Sequence, residues 1–188
     1  EVAFGQYVYQ VEGTPEAPAC GVELVRSLHN IGVRGENFEV LFSILNGGLV
    51  SYKYAGREMI EAIPKPNFWR APTDNDCGSL MQMRYAQWKI ASMYASHKDY
   101  RKGMYGPANA PETTVHENSV EVAFTYILPT TPASECRLAY EVTGDGRVKT
   151  TLTYDPVKEL GDMPEFGVLF KFNADYDHVQ WYGLGPAE

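Results

Sequence analysis

The chain is predicted to be an all-β, antiparallel sandwich that carries a single helix. Three observations lead there. Short runs of alternating apolar and polar residues recur along the sequence, separated by Gly, Pro, Asn and Asp. Only one stretch, Leu80 to Met93, repeats its large apolar residues at helical spacing. The composition also favours strands and turns, with 13 Tyr, 17 Gly and 12 Pro in 188 residues. A doubly wound sheet would alternate strands with helices, and this sequence does not.

Taken in order, Glu1 to Gln10 alternates as a strand, and Val11 to Ala19 (VEGTPEAPA) reads as an extended linker. A first strand set apart in this way looks like the last strand of a preceding domain. The main body begins near Val22, with a short strand from Val22 to Leu28. Phe38, Val40, Phe42 and Ile44 alternate cleanly. Asn46-Gly47-Gly48 then tolerates positive φ, so Phe38 to Ala55 is predicted as a hairpin. Arg57 to Ile63 is a further strand, expected to end at Pro64 and Pro66. In the helix, Met81, Tyr85, Trp88 and Ser92 form one stripe, read as core packing. Gly103 to Pro111 is loop. Val120 to Leu128, Arg137 to Thr143 and Arg147 to Tyr154 are strands, the last two joined by Gly144-Asp145-Gly146. Phe166 to Phe172 and Val179 to Trp181 complete the set.

A chain of this length buries roughly 70% of its unfolded surface and needs no covalent staples. Its net charge is −8 with no run of Lys or Arg, which argues against nucleic acid or an anionic membrane surface as partner. Cys20, Cys77 and Cys136 are odd in number and widely spaced, so reduced thiols are expected rather than a disulfide framework or zinc site. There is no signal-peptide pattern, no apolar run near 18 residues and no N-x-S/T sequon. A soluble cytoplasmic protein is the expectation.

Candidate chemistry concentrates in Asn67 to Gly78, which reads NFWRAPTDNDCG. Asp74 and Asp76, two apart, would point the same way on an extended segment. They could then hold a cation or serve as a carboxylate pair for glycoside chemistry. An EF-hand beginning at Asp74 would need an acid or Asn at Gly78 and a Glu at Tyr85, so that reading fails. The plainer reading, which carries more weight, is that Asp74, Asn75 and Asp76 cap the following helix and bond loop amides. Arg70 could clamp a ligand carboxylate or pair with Asp74 or Asp76. His29, His97, His116 and His178 are scattered and suggest no metal or triad. The high aromatic share suits a β core first and neutral ligands such as sugars second.

NFWRAPTDNDCG resembles a segment near the start of the last domain of the long β-galactosidases of glycoside hydrolase family 2, of the form (N/T)FWRAPTDND-x-G. Gly35 to Ser51 (GENFEVLFSILNGGLVS) is similar to the hairpin that opens that domain. Trp88 fits the W-K that follows, and Trp181 to Glu188 (WYGLGPAE) is similar to W-x-G-x-G-P-x-E, which N-Y-x-D-R normally follows. The chain also resembles the small subunit of two-chain β-galactosidases.

The resemblance implies an antiparallel supersandwich of the galactose mutarotase type, here an incomplete copy. On this reading residues 1–10 close a preceding immunoglobulin-like domain, 11–20 are linker, and 21–188 are the N-terminal part of a truncated last domain. The implied parent reaction is retaining hydrolysis of terminal β-galactosides such as lactose. The two catalytic glutamates of the family have no matching stretch here, so the chain is expected to be inactive alone. What the family places here is the loop after DND-x-G, Gly78 to about Arg84, which covers the galactose site. It is shorter here than in the best-known member. Arg70, Asp74, Asn75, Asp76 and Gly78 are the candidate rim and loop-positioning residues. A Trp that completes the site in some members has no counterpart here. The fragment is expected to need no cofactor, while the parent family typically uses Mg and Na. Its expected partner is the rest of a β-galactosidase chain or a large subunit, and its unpaired strand edges imply self-association. A stand-alone mutarotase-like isomerase and a carbohydrate-binding or assembly module are the alternatives.

Overall fold

The computed structural model describes residues 21–98 and 111–178. The readings of residues 1–20 and Val179 to Glu188, and of the 103–110 loop, lie outside them. Five strands form a meander: β1 (Glu23–Arg26), β2 (Asn30–Arg34), β3 (Phe38–Ser43), β4 (Gly48–Tyr54) and β5 (Arg57–Glu58), each antiparallel to the next. β6 (Ala62–Asn67) follows, then three short helices, α1 (Asp74–Gly78), α2 (Met81–Arg84) and α3 (Ala86–Tyr94). A second antiparallel sheet is built from β7 (Ser96–His97), β8 (Glu112–Val115), β9 (Ser119–Leu128), β10 (Ser134–Thr143) and β11 (Val148–Tyr154). β12 (Gly167–Lys171) pairs antiparallel with β6 as a separate two-stranded ribbon. The architecture is antiparallel and β-dominated, as predicted.

The core lies between the two large sheets because their alternation faces inward together. Phe38, Val40 and Phe42 of β3 meet Val120, Val122 and Phe124 of β9 and Leu138, Tyr140 and Val142 of β10. Phe42 sits at the centre, 5.5 Å from the ring of Tyr140 and 6.3 Å from that of Phe124, both tilted. Two tyrosines join the layers at their turns. Tyr126 of β9 donates its hydroxyl to the Gly47 carbonyl at 2.5 Å, and Tyr52 of β4 donates to the Gly146 carbonyl at 2.7 Å. Both acceptors are glycines at positive φ, 69° and 86°, in the two turns predicted from Asn46-Gly47-Gly48 and Gly144-Asp145-Gly146.

Three expectations change. The helix of Leu80 to Met93 is broken: Leu80 adopts a left-handed φ of 58° ahead of α2, and Tyr85 at φ −120° separates α2 from α3. The strand expected to stop at Pro64 instead resumes as β6 through Pro64 and Pro66. Among the described residues β6 has a ladder partner only in β12, and prolines two apart remove donors from one side of a strand alone. Finally, β2 was hidden by Gly32 at its midpoint, and β7 and β8 are too short for periodicity to show.

Cys77 and Cys136 are free; burial pushes the Cys136 thiol up to about 12, so it stays protonated. No helix among the described residues is long and apolar enough to cross a membrane.

Tyr140 is fully buried, yet its hydroxyl has no hydrogen-bond partner among the described residues. Burial, with the neighbouring Tyr126 second, pushes its phenol far above the usual range. A buried hydroxyl without a partner costs about 1–3 kcal/mol. Tyr140→Phe is therefore expected to stabilise the chain, by about 1 kcal/mol in urea denaturation; a loss of stability would show that the hydroxyl is bonded.

Candidate functional site

The segment after β6 is anchored at one end and braced at the other. Asn67 is buried and donates its side-chain amide to the Trp69 carbonyl at 2.9 Å. The Phe68 amide donates to Ser92 Oγ at 2.8 Å, and that hydroxyl donates onward to the Trp88 carbonyl at 2.9 Å. This ties the segment to α3. The Phe68 ring, wholly buried, lies 5.8 Å from Trp88, 6.3 Å from Tyr154 and 6.2 Å from Phe166. Below these rings Trp88, Tyr154, Pro156, Val157, Met163 and Phe166 line most of a cleft of about 370 Å3. Trp88 Nε1 and the Tyr154 hydroxyl are buried there without a hydrogen-bond partner among the described residues.

Beyond the anchor the chain folds onto itself. Thr73 is the N-cap of α1, and Asp76 at the third helical position completes a capping box. Thr73 Oγ1 accepts from the Asp76 amide at 3.3 Å, while Asp76 Oδ2 accepts from the Thr73 amide at 2.8 Å and from its hydroxyl at 2.9 Å. Arg70 donates to both oxygens of the same carboxylate, Nη1 to Oδ2 at 2.5 Å and Nη2 to Oδ1 at 3.0 Å. The guanidinium first, then the Thr73 amide, hold Asp76 down at about 2. Its carboxylate is thus committed to the fold.

Of the sequence-predicted residues, the structure brings Arg70 and Asp76 together and leaves Asp74, Asn75 and Gly78 exposed on α1. The pairing of Arg70 with an acid is realised, and of the three residues expected to cap only Asp76 takes part in a cap. The cap serves α1 rather than the Leu80 helix, and Thr73 makes it. Because α1 is helical, Asp74 and Asp76 stand roughly 200° apart about its axis and do not form a pair. Gly78 has open space where a Cβ would stand. The expected loop from Gly78 to Arg84 contains α2, whose Met81 is buried. Sequence reading missed Thr73, although T-x-x-D is a legible capping signal, and Ser92, which it took for plain core stripe. Among the described residues no group of three or more His, Cys, Asp or Glu could hold a metal ion.

Asp76 gives the site a pH signature. A carboxylate that titrates at 3.8 in the unfolded chain and about 2 in the folded one stabilises the fold fully above about pH 4. That contribution fades as pH falls from there through 2, because the unfolded chain takes up its proton first. Asp76→Asn is expected to lose stability less steeply than the parent between pH 5 and 2. Equal slopes in denaturation at stepped pH would contradict the brace.

The family model described as "Beta galactosidase small chain" matches residues 34–188. A β-galactosidase of Halalkalibacterium halodurans is 39% identical over 193 residues, covering 100% of this chain and 18% of that protein. One from Clostridium acetobutylicum is 33% identical over 190 residues, covering 100% of this chain and 20% of the relative. A β-galactosidase small subunit of Latilactobacillus sakei is 30% identical over 163 residues, 82% of this chain and 51% of that subunit. The chain therefore spans about a fifth of the long relatives and half of the small subunit. On the family model and these relatives, it belongs to the β-galactosidase small-chain family.

Proposed function

We propose that the chain is the non-catalytic small-chain domain of a β-galactosidase, shaping one rim of the site where terminal β-galactosides of the lactose type are cleaved. The observation that supports this reading is the rigid exit of the segment from Asn67 to Gly78. Phe68 fixes its start in the core, and the Arg70–Asp76–Thr73 brace fixes its end. The residues that follow, Gly78 to Arg84, leave from a defined point and close over the sugar. The acid/base and nucleophilic carboxylates come from the large subunit, or from the remainder of a longer polypeptide. A cytoplasmic setting and the absence of a cofactor of its own belong to the same proposal.

The test is turnover of a chromogenic β-galactoside. The purified chain is expected to give none by itself and to restore activity when mixed with the catalytic part lacking this region. Turnover by the chain alone would remove the non-catalytic reading, and failure to restore activity would remove the partnership. Self-association is also part of the proposal. β12 leaves Leu169 and Phe170 exposed, with Phe166 and Phe172 beside its ends, so exposed apolar side chains gather along this strand. A monomer by light scattering at high concentration would count against it.

A further inference from the structure

We propose that the outward face of α3, made by Ile90, Met93 and Tyr94 and extended by Met83 of α2, is the surface on which the catalytic part of a β-galactosidase docks. The inference rests on the partnership proposed above and names the contact.

α3 is apolar on two opposite sides. At roughly 100° per residue, Ala91 and Ser92 fall within about 60° of Trp88, on the side that faces the core. Ile90, Met93 and Tyr94 fall roughly 140–240° away, on the opposite side. A helix lying on a sandwich should carry polar residues there. Instead Ile90 is 47% exposed, Met93 59% and Tyr94 65%, with Met83 at 72% on the turn before. Scattered exposed apolar residues need no explanation, but three within five positions on one helix face do. Met and aromatic residues are also those enriched at protein interfaces.

Charge points to the kind of partner. From Leu80 to Tyr94 the sequence holds Arg84 and Lys89 and no carboxylate, although the chain as a whole is at −8. Arg84, stacked over Tyr85, and Lys89 are both exposed along this stretch, and Asp162 approaches it only at the Tyr85 hydroxyl. This balance suits a partner surface that carries carboxylates and disfavours a second copy of this same stretch. The face also follows directly from the braced segment, so docking here carries Gly78 to Arg84 to the partner. A partner of sufficient size is at hand, since four fifths of each long relative lies outside the matched region.

The initial rate of methionine oxidation reports how far the surface is open to solvent. In the assembled enzyme, treated with dilute hydrogen peroxide, Met83 and Met93 are expected to oxidise as slowly as the buried Met81. If they oxidise tenfold or more faster than Met81 in an enzyme that has assembled, the surface is wrong while the partnership stands. If the chain neither copurifies with the catalytic part nor restores its activity, the partnership itself has failed. Ile90→Glu is the second arm and is expected to weaken association at least tenfold. Association equal to the unmodified chain would overturn the proposal, and should that variant fail to fold, the oxidation rates decide alone.

Discussion

Phe68→Ala is expected to destabilise the chain by about 3–5 kcal/mol, the range for emptying a buried aromatic site. Few positions here are so surrounded. The ring is wholly buried and meets Trp88 of α3, Tyr154 of β11 and Phe166 just before β12. None of the three fills the gap simply. Trp88 is held edge-on to Tyr154 at 5.8 Å, and the Phe68 amide stays tied to Ser92. For a chain of this length the cost corresponds to a fall in Tm of roughly 10–15 °C. Circular dichroism melting checks it, and a fall of less than about 3 °C would mean that the site collapses around the smaller residue. The variant also frees the start of the braced segment, so in an assembled enzyme it should disturb the site beyond its effect on stability.

Gly47→Ala should be nearly as damaging, although it adds only one methyl group. Gly47 is at φ +69°, where a Cβ costs roughly 1–2 kcal/mol. That Cβ would also lie 2.1 Å from Cγ and 2.3 Å from Cβ of His97. Since His97 Cβ is fixed to its backbone, a rotamer change does not relieve the clash; β7 or the turn must move. Overpacking of this kind costs about 1–3 kcal/mol more. The turn's movement further loosens the Tyr126 bond to the Gly47 carbonyl. A total near 3 kcal/mol or above is expected by urea denaturation. A change under 0.5 kcal/mol would show that the turn relaxes freely.

Sequence made the sheets legible where alternation and turn chemistry agreed. Phe38, Val40 and Phe42 face the core as their spacing requires, and both glycine turns are where the Asn-Gly and Asp-Gly pairs put them. The failures are tertiary. The helical period passes smoothly through Tyr85, but the chain breaks there, where the Tyr85 hydroxyl bonds Asp162. No local propensity carries that bond. Pro64 and Pro66 read as a stop because proline forfeits a donor, and they are tolerated on β6, whose one ladder partner among the described residues is β12. At the site the residue types were legible and the geometry was not. Arg70 had two carboxylates within reach, and only the capping box of Thr73, by placing Asp76 at the third helical position, selects one. The spacing of Asp74 and Asp76 suggested a shared direction only while the segment was taken as extended.

The paired tyrosines at the turns give the sandwich a reciprocal clasp. Each layer lends one phenol to the other's turn: Tyr126 reaches across to Gly47, and Tyr52 reaches back to Gly146. Hydrophobic faces alone resist separation but allow slippage, since apolar contact has little directional preference. Two hydrogen bonds running in opposite senses lock that sliding coordinate, so neither hairpin can peel away without releasing its counterpart. The layers should therefore open in concert, and amides on both sides of the core should report one common free energy of opening in hydrogen exchange.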